Sequence, residues 1–298
     1  MRITQNMLNS DMLYNLDSSL QRMDRLQEML STGKKVSKPS HDPIVASRSM
    51  LFRTNISEND QFRSNTDEAT NWLDQAESTI SQGNTILTRV KELVTQAANE
   101  TNGPEERQKI GAEITQLRDQ LGVLANTTFA GKYIFSGTEI ETKAFDESAV
   151  PPDLSAAINS DAINIEVSTG IKIPINVPAD ELFKGTNSET TFDMLDKLIT
   201  DLNSPTLQDM QGHLGKIQNH IENFLKVQAS VGARTNRIEL TQNRLDTQRD
   251  GTEKMLSDGE DADLAKVIMD LQNNENVHRA ALSAGSRIIQ PTLLDFLR

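Results

Sequence analysis

The chain has 298 residues, 43 acids against 30 bases for a formal charge of −13, no cysteine, and aromatics at only 4%. The acidic balance disfavours a nucleic-acid binder, whose affinity rests on neutralising phosphates, and equally a protein drawn by charge to anionic membranes. The missing cysteines remove disulfide frameworks, zinc ribbons and thiol catalysis, and the sparse aromatics argue against a large core built on big anchors. The opening, MRITQNMLNSDML, has no apolar signal-peptide core, and no run approaches the roughly 18 apolar residues of a membrane span.

In chain order, the first element is a helix whose seam is Leu13, Leu16, Leu20, Met23 and Leu30, with Gln27 as the polar gap. A loop follows in which Gly33, Lys34, Lys35, Pro39, Asp42 and Pro43 combine turn-formers with a basic stretch. Its punctuation fits a structured loop after a helix better than a phosphate cradle. No proline occurs from Ile44 to Gly103. In that tract Leu73, Ala76, Ile80, Gly83, Leu87, Val90, Val94 and Ala97 are spaced 3-4-3-4-3-4-3, a heptad seam in which Gly83 permits a close helix contact. After Asn102-Gly103-Pro104 the pattern resumes at Ile110, Ile114, Leu117, Leu121 and Leu124, which predicts an antiparallel helical hairpin.

Residues 139–196 differ: twelve acids, three bases and four prolines. Ile163, Ile165 and Val167 alternate with polar residues, as do Ile171, Ile173, Ile175 and Val177, with Gly170 placed for a hairpin turn. A small acidic β module is expected here. Beyond it a helix from about Thr206 to Arg249 carries Phe224, Val231, Ile238 and Leu245 at every seventh position, interleaved with Gln228, Thr235 and Gln242. Such a half-polar seam favours one register and one set of partners. The acidic run 258–263 lacks calcium-loop spacing and predicts a solvated loop, with Asp261 or Asp263 capping the next helix. That helix bears Leu264, Ile268, Leu271 and Leu282, interrupted by Glu275, His278 and Gly285, and the tail adds Leu293, Leu294, Phe296 and Leu297. Neither terminal helix has apolar face enough to stand alone, so each needs the other or a neighbouring subunit.

The expected fold is mainly α: a long antiparallel coiled-coil rod from the N- and C-terminal regions with a small β-rich insertion. Three domains are expected, 1–43 with 255–298 as a terminal coiled coil, 44–138 with 200–254 as the rod, and 139–199 as an outward-facing acidic module. Catalytic motifs of phosphate-binding loops, nucleophile elbows and metalloproteases are absent. His213 and His220, seven apart, fit solvated or interfacial positions better than a metal pair. The tripeptides at Asn55, Asn99 and Asn126 match glycosylation sites in form, but arise often by chance.

Several segments resemble the flagellin superfamily, and within it the hook-associated members at the hook–filament junction. They are the start Met1-Arg2-Ile3-Thr4; the loop from Ser31 to Pro43, with two prolines that flagellins usually lack; Leu124-Ala125-Asn126-Thr127 followed by Gly131 to Gly137; Asp261-Ala262-Asp263-Leu264; and the closing Leu293-Leu294-Asp295-Phe296-Leu297-Arg298. His41 stands where an acid is common in that family. The resemblance implies paired terminal helices forming the inner layer of a hollow assembly, with the insertion outward. It implies a structural adaptor without catalysis or cofactors, extracellular on the flagellum and exported through the flagellar type III channel. The implied partners are copies of itself, a neighbouring hook-associated protein, flagellin and an export chaperone. The alternatives are a flagellin-type filament subunit, a cytoplasmic coiled-coil regulator, and an enzyme using acid pairs such as Glu105 and Glu106.

Overall fold

The computed structural model describes residues 5–98, 103–149, 152–155, 159–185, 189–204 and 210–289. The apolar tail (Leu293, Leu294, Phe296 and Leu297) and Asn102 of the expected turn lie outside them. The fold is mainly helical, with seven helices and three two-stranded antiparallel pairs among the described residues. The chain divides into two compact units, Met1–Glu58 with Thr247–Arg298, and Asn59–Asp246. The helices α2 (Pro43–Ala97) and α6 (Met210–Glu260) contribute to both.

In the first unit α1 (Gln5–Thr32) packs against α7 (Leu264–Ile289). Gly33, at φ +72°, ends α1 in the left-handed conformation, and its N–H returns to the Met29 carbonyl at 2.9 Å. The carboxylate of Asp42 then opens α2 by accepting from the N–H groups of Ile44 and Val45, both at 3.0 Å, with Pro43 at the first helical position, where an N–H has no helical partner. At the other junction Asp263 accepts from the Lys266 N–H at 3.2 Å and caps α7.

The second unit is built on α2. Arg63 reaches Asp246, Asp67 accepts from Gln242 at 2.9 Å, Gly83 meets Phe224, and Lys91 donates to Gln218 at 2.7 Å. These contacts step in opposite directions along the two sequences, so α6 runs antiparallel to α2. Arg89 paired with Glu113, and Gly83 beside Leu121, place α3 (Pro104–Ala125) antiparallel to α2 as well. Leu73, Ile80, Leu87, Val90 and Val94 on α2, Ile114 and Leu121 on α3, and Phe224, Val231, Ile238 and Leu245 on α6 are all buried, while Leu117 is partly so.

The segment 139–199 differs from the expected module. It holds β3 (Phe145–Asp146), β4 (Asp153–Leu154), β5 (Asn164–Ser168) and β6 (Ile171–Pro174), but also α4 (Ala179–Phe183) and most of α5 (Thr191–Asn203). β5 pairs with β6 through the turn at Gly170, whose φ is +73°. Val167, Ile173, Ile175 and Val177 are buried, whereas Ile171 is exposed beside the turn. The alternating isoleucines dominate the pattern of the segment and mask α5. Its signal is Thr190, which accepts from the Asp193 N–H at 3.0 Å, followed by Phe192, Leu195, Leu198 and Leu202 at helical spacing.

Nor does this segment keep a core of its own. Phe183 stands at the centre of a chain of rings, with centroids 6.2 Å from Phe135, 5.3 Å from Phe192 and 5.6 Å from Phe224, and Phe192 lies 4.4 Å from Phe145. Five of the nine phenylalanines gather here, and the cluster ties the segment to α6. Of the segment's acids, Glu139, Glu141, Glu147, Asp161 and Glu181 are exposed and the others are half-buried, among them Glu189 and Asp196 in ion pairs. Upstream, β1 (Thr128–Phe129) and β2 (Lys132–Tyr133) form a hairpin through Ala130 and Gly131, both at positive φ, the geometry that matches strand twist.

Candidate functional site

The sequence directs attention to the paired terminal helices and the loop that follows α1. Burial on α1 recurs at Met12, Leu16, Ser19, Met23 and Leu26, and on α7 at Val267, Leu271, Asn274, His278, Ala281 and Gly285, both in heptad spacing. Met12 lies over Gly285, where a Cβ would collide with its thioether. The contact between the helices is thus made largely of small, polar and flexible side chains. Of the predicted seam, Leu16, Met23 and Leu271 turn toward the partner helix. Leu13, Leu20, Leu30, Leu264, Ile268 and Leu282 are exposed, joined by Met7, Tyr14, Met269 and Val277. The helix pair therefore buries one face of each helix and leaves a second apolar face outward. The stripe of large residues drew the eye in the sequence, whereas the inward face was hidden by Ser19, Asn274, Ala281 and Gly285.

The loop 33–42 is clamped to the α6–α7 junction. The Lys35 N–H donates to the Glu260 carbonyl at 2.6 Å and the Ala262 N–H to the Gly33 carbonyl at 2.8 Å, and Lys34 bridges Asp261 as an isolated antiparallel pair. Glu260 is buried; its carboxylate meets the Lys34 ammonium at 2.8 Å and the Arg53 guanidinium at 2.6 Å. Burial alone would raise its pKa, but the hydrogen bonds and charges of Lys34 and Arg53 outweigh that and hold the carboxyl below the usual range. On the other side Glu28 takes Lys38 at 2.9 Å and the Ser37 hydroxyl at 2.7 Å, and these hydrogen bonds lower its pKa in turn. His41 stands 3.8 Å from Glu28, which supplies the acid of this loop from α1. Lys34, Lys35, Asp42 and Pro43 are thus fixed by local bonds or caps.

Of the two positions expected for the histidines, solvated or interfacial, both take the interfacial one, packed against α5. His213 and His220 are both buried on α6. His213 Nε2 stands 2.6 Å from Asp201, and His220 Nδ1 stands 3.0 Å from the Thr191 hydroxyl. Burial pushes the His220 imidazole below its ordinary pKa, against the weaker pull of Glu189. No group of three or more His, Cys, Asp or Glu with metal-binding geometry occurs among the described residues, and none of their helices is long and apolar enough to cross a membrane.

Two family models match this chain: the bacterial flagellin N-terminal helical region over residues 3–140 and the bacterial flagellin C-terminal helical region over 214–297. The chain belongs to the flagellin family. Both matched regions meet in the α1–α7 pair and in the antiparallel α2–α6 packing. Relatives of this flagellin-family chain include the flagellar hook-associated protein 3 of Escherichia coli (strain K12), 29% identical over 287 residues, covering 90% of each chain. The flagellin of Bacillus subtilis (strain 168) is 25% identical over 289 residues, covering 94% of each. Among solved structures, a putative flagellar hook-associated protein from Vibrio parahaemolyticus superposes with a TM-score of 0.69 at 21% identity, covering 74% of this chain and 100% of that one. At that identity the likeness speaks for the fold.

Proposed function

We propose that this protein is a structural adaptor of the bacterial flagellum, joining hook to filament through its terminal helices and without catalysis. The observation that carries the reading is the outward apolar face of the α1–α7 pair, with Leu13, Leu20, Leu264, Ile268 and Leu282 exposed on helices already paired by their other faces. A marginal two-helix contact with a second apolar face gains most of its burial from neighbours, so folding of this unit and assembly are coupled. Heterologous contacts related by rotation and rise then build a short tubular layer rather than a closed dimer. The relative named hook-associated protein 3 supports the junction over the filament, as does the proline-containing loop from Gly33 to Pro43.

On this reading the partners are copies of itself, a neighbouring hook-associated protein on one side and flagellin on the other, with an export chaperone before secretion. The location is extracellular, reached through the flagellar export channel without a cleaved signal peptide. The test is electron microscopy of cells lacking the gene. Hooks without filaments, and flagellin lost to the medium, are expected. Normal filaments would overturn the adaptor reading, and purified chains that polymerise unaided into long filaments would replace it with a filament subunit.

A further inference from the structure

The first unit contains a cavity of about 550 Å³ between the loop 33–42 and the first turns of α2. Lys34, Lys38 and Arg53 stand at it, with Ser37 as a hydroxyl and Val36 and Met50 as apolar wall. Glu260 is the one acid among its described lining residues, and it is already engaged by Lys34 and Arg53. Each of these cations keeps donors to spare. Lys34 gives Glu260 one of three N–H groups and Arg53 one of five, and their side chains are 37% and 52% exposed. Lys38, at 62%, is the most open. The cavity thus combines cationic donors, Lys34 and Arg53 held by the buried Glu260 and Lys38 held by Glu28 at 2.9 Å, with an apolar wall. That chemistry fits an aspartate or glutamate flanked by an apolar neighbour on an approaching chain.

The distribution of charge says where such a carboxylate would come from. Residues 33–53 hold five bases and one acid. The unit that contains them has 15 acids and 14 bases, whereas Asn59–Asp246 has 28 acids and 16 bases. Contacts between two acidic units repel, while an acidic unit against this cationic cup attracts. We propose that the cup formed by Lys34, Lys38 and Arg53 receives carboxylates from the acidic unit, Asn59–Asp246, of a second copy of this chain. The contact is heterologous, with the cup of one copy meeting the acidic unit of the next, so it extends around a layer instead of closing a pair. The proposal uses the adaptor reading only for the presence of neighbouring copies.

The test mixes isotope-labelled and unlabelled full-length chain at high concentration, joins amines to carboxylates with a zero-length carbodiimide, and maps the links by mass spectrometry. Mixed-isotope links from Lys34 or Lys38 to acids within 59–246 are expected, falling severalfold between about 50 mM and about 500 mM salt. Lys38→Glu should lower their yield roughly three- to tenfold, the range for reversing one exposed pair, while Lys38→Arg keeps the links through Lys34. Links that are only intramolecular, that reach only acids of 1–58 or 247–298, or that ignore salt and Lys38→Glu overturn the cup. So do links formed only to other flagellar proteins when intact flagella are treated. Loss of the adaptor reading would show instead as normal filaments in cells without the gene, so the two failures are separate.

Discussion

The ring of Phe224 lies against the backbone of Gly83, where a Cβ would stand 2.7 Å from Cε1 and 3.5 Å from the Leu121 methyl. Three helices therefore approach through one missing side chain. Replacing Gly83 by Ala gains about 1 kcal/mol of helix propensity but forces the ring or α6 to shift, at a cost of about 1–3 kcal/mol. A net loss near 1 kcal/mol is expected, read as a fall of about 2–4 °C in melting temperature for a unit of this size. The double variant Gly83→Ala, Phe224→Leu should recover part of that loss relative to the two single changes, which a mutant cycle measures.

Asn126 acts as a piece of backbone for Phe145. Its amide donates to the Phe145 carbonyl at 2.9 Å and its carbonyl accepts the Phe145 N–H at 2.8 Å. The same ring lies over Gly122, where a Cβ would stand 2.6 Å from Cδ1. Asn126→Ala strands both backbone groups and is expected to cost about 1–3 kcal/mol in urea unfolding. Asn126→Asp keeps the acceptor but sets a carboxylate oxygen against the Phe145 carbonyl, so it should cost at least as much as Asn126→Ala near neutral pH.

These two contacts show which parts of the fold the sequence discloses. The 3-4 spacing from Leu73 to Ala97 is legible because α2 is covered along that seam, and coverage keeps large apolar residues in phase. Gly83 was visible as the small member of the seam, but its partner was not, since Phe224 lies 141 positions away in the chain. The aromatic cluster around Phe183 could not be read for the same reason, as its five members stand at separate places between Phe135 and Phe224. On α1 and α7 the spacing misleads. Leu13 and Leu20 look like a core stripe, yet the inward face includes Ser19, and its counterpart on α7 includes Ala281 and Gly285. A helix with two faces, one closed and one waiting for a neighbour, has no single hydrophobic period.

His220 predicts a pH dependence for the second unit. The Thr191 hydroxyl donates to the Phe183 carbonyl at 2.9 Å, so His220 Nδ1 serves it as donor and the neutral ring fits. Because burial lowers the folded pKa below the ordinary 6.5, the unfolded chain binds the proton more readily. The stabilisation is complete above pH about 6.5 and declines as pH falls through the lower folded value. A ring-proton titration by NMR should give a midpoint below 6.5, and a value above it would contradict the assignment. His220→Gln should flatten the melting temperature between neutral and mildly acid pH.

Glu260 predicts a second dependence, at lower pH and in the other unit. Its carboxyl is held below the ordinary 4.5, despite burial, by Lys34 and Arg53. The stabilisation is present above about 4.5 and disappears as pH drops below that through the folded value. Hydrogen exchange at the Lys35 and Ala262 amides reports on the clamp directly. Glu260→Gln should speed that exchange at neutral pH, by an amount equivalent to about 1–3 kcal/mol, and remove the acid step.

The two faces of α1 can be separated by a matched pair of changes. Leu16 is half-buried on the side turned to α7, whereas Leu20, one turn later, is 49% exposed. Leu16→Glu places a charge in the contact with α7 and should unpair the two helices, seen as lost helical signal in circular dichroism and raised amide exchange along both. Leu20→Glu touches neither, so the free chain should keep its helicity and lose no more than about 0.5 kcal/mol. In cells, both variants should fail to hold filaments, but for different reasons: the first through loss of the pair, the second through a charge set in the face that neighbours cover. A strain carrying Leu20→Glu that swims and retains filaments as wild type does would show that this face is not used in assembly. The carrying observation of the adaptor reading would then be lost.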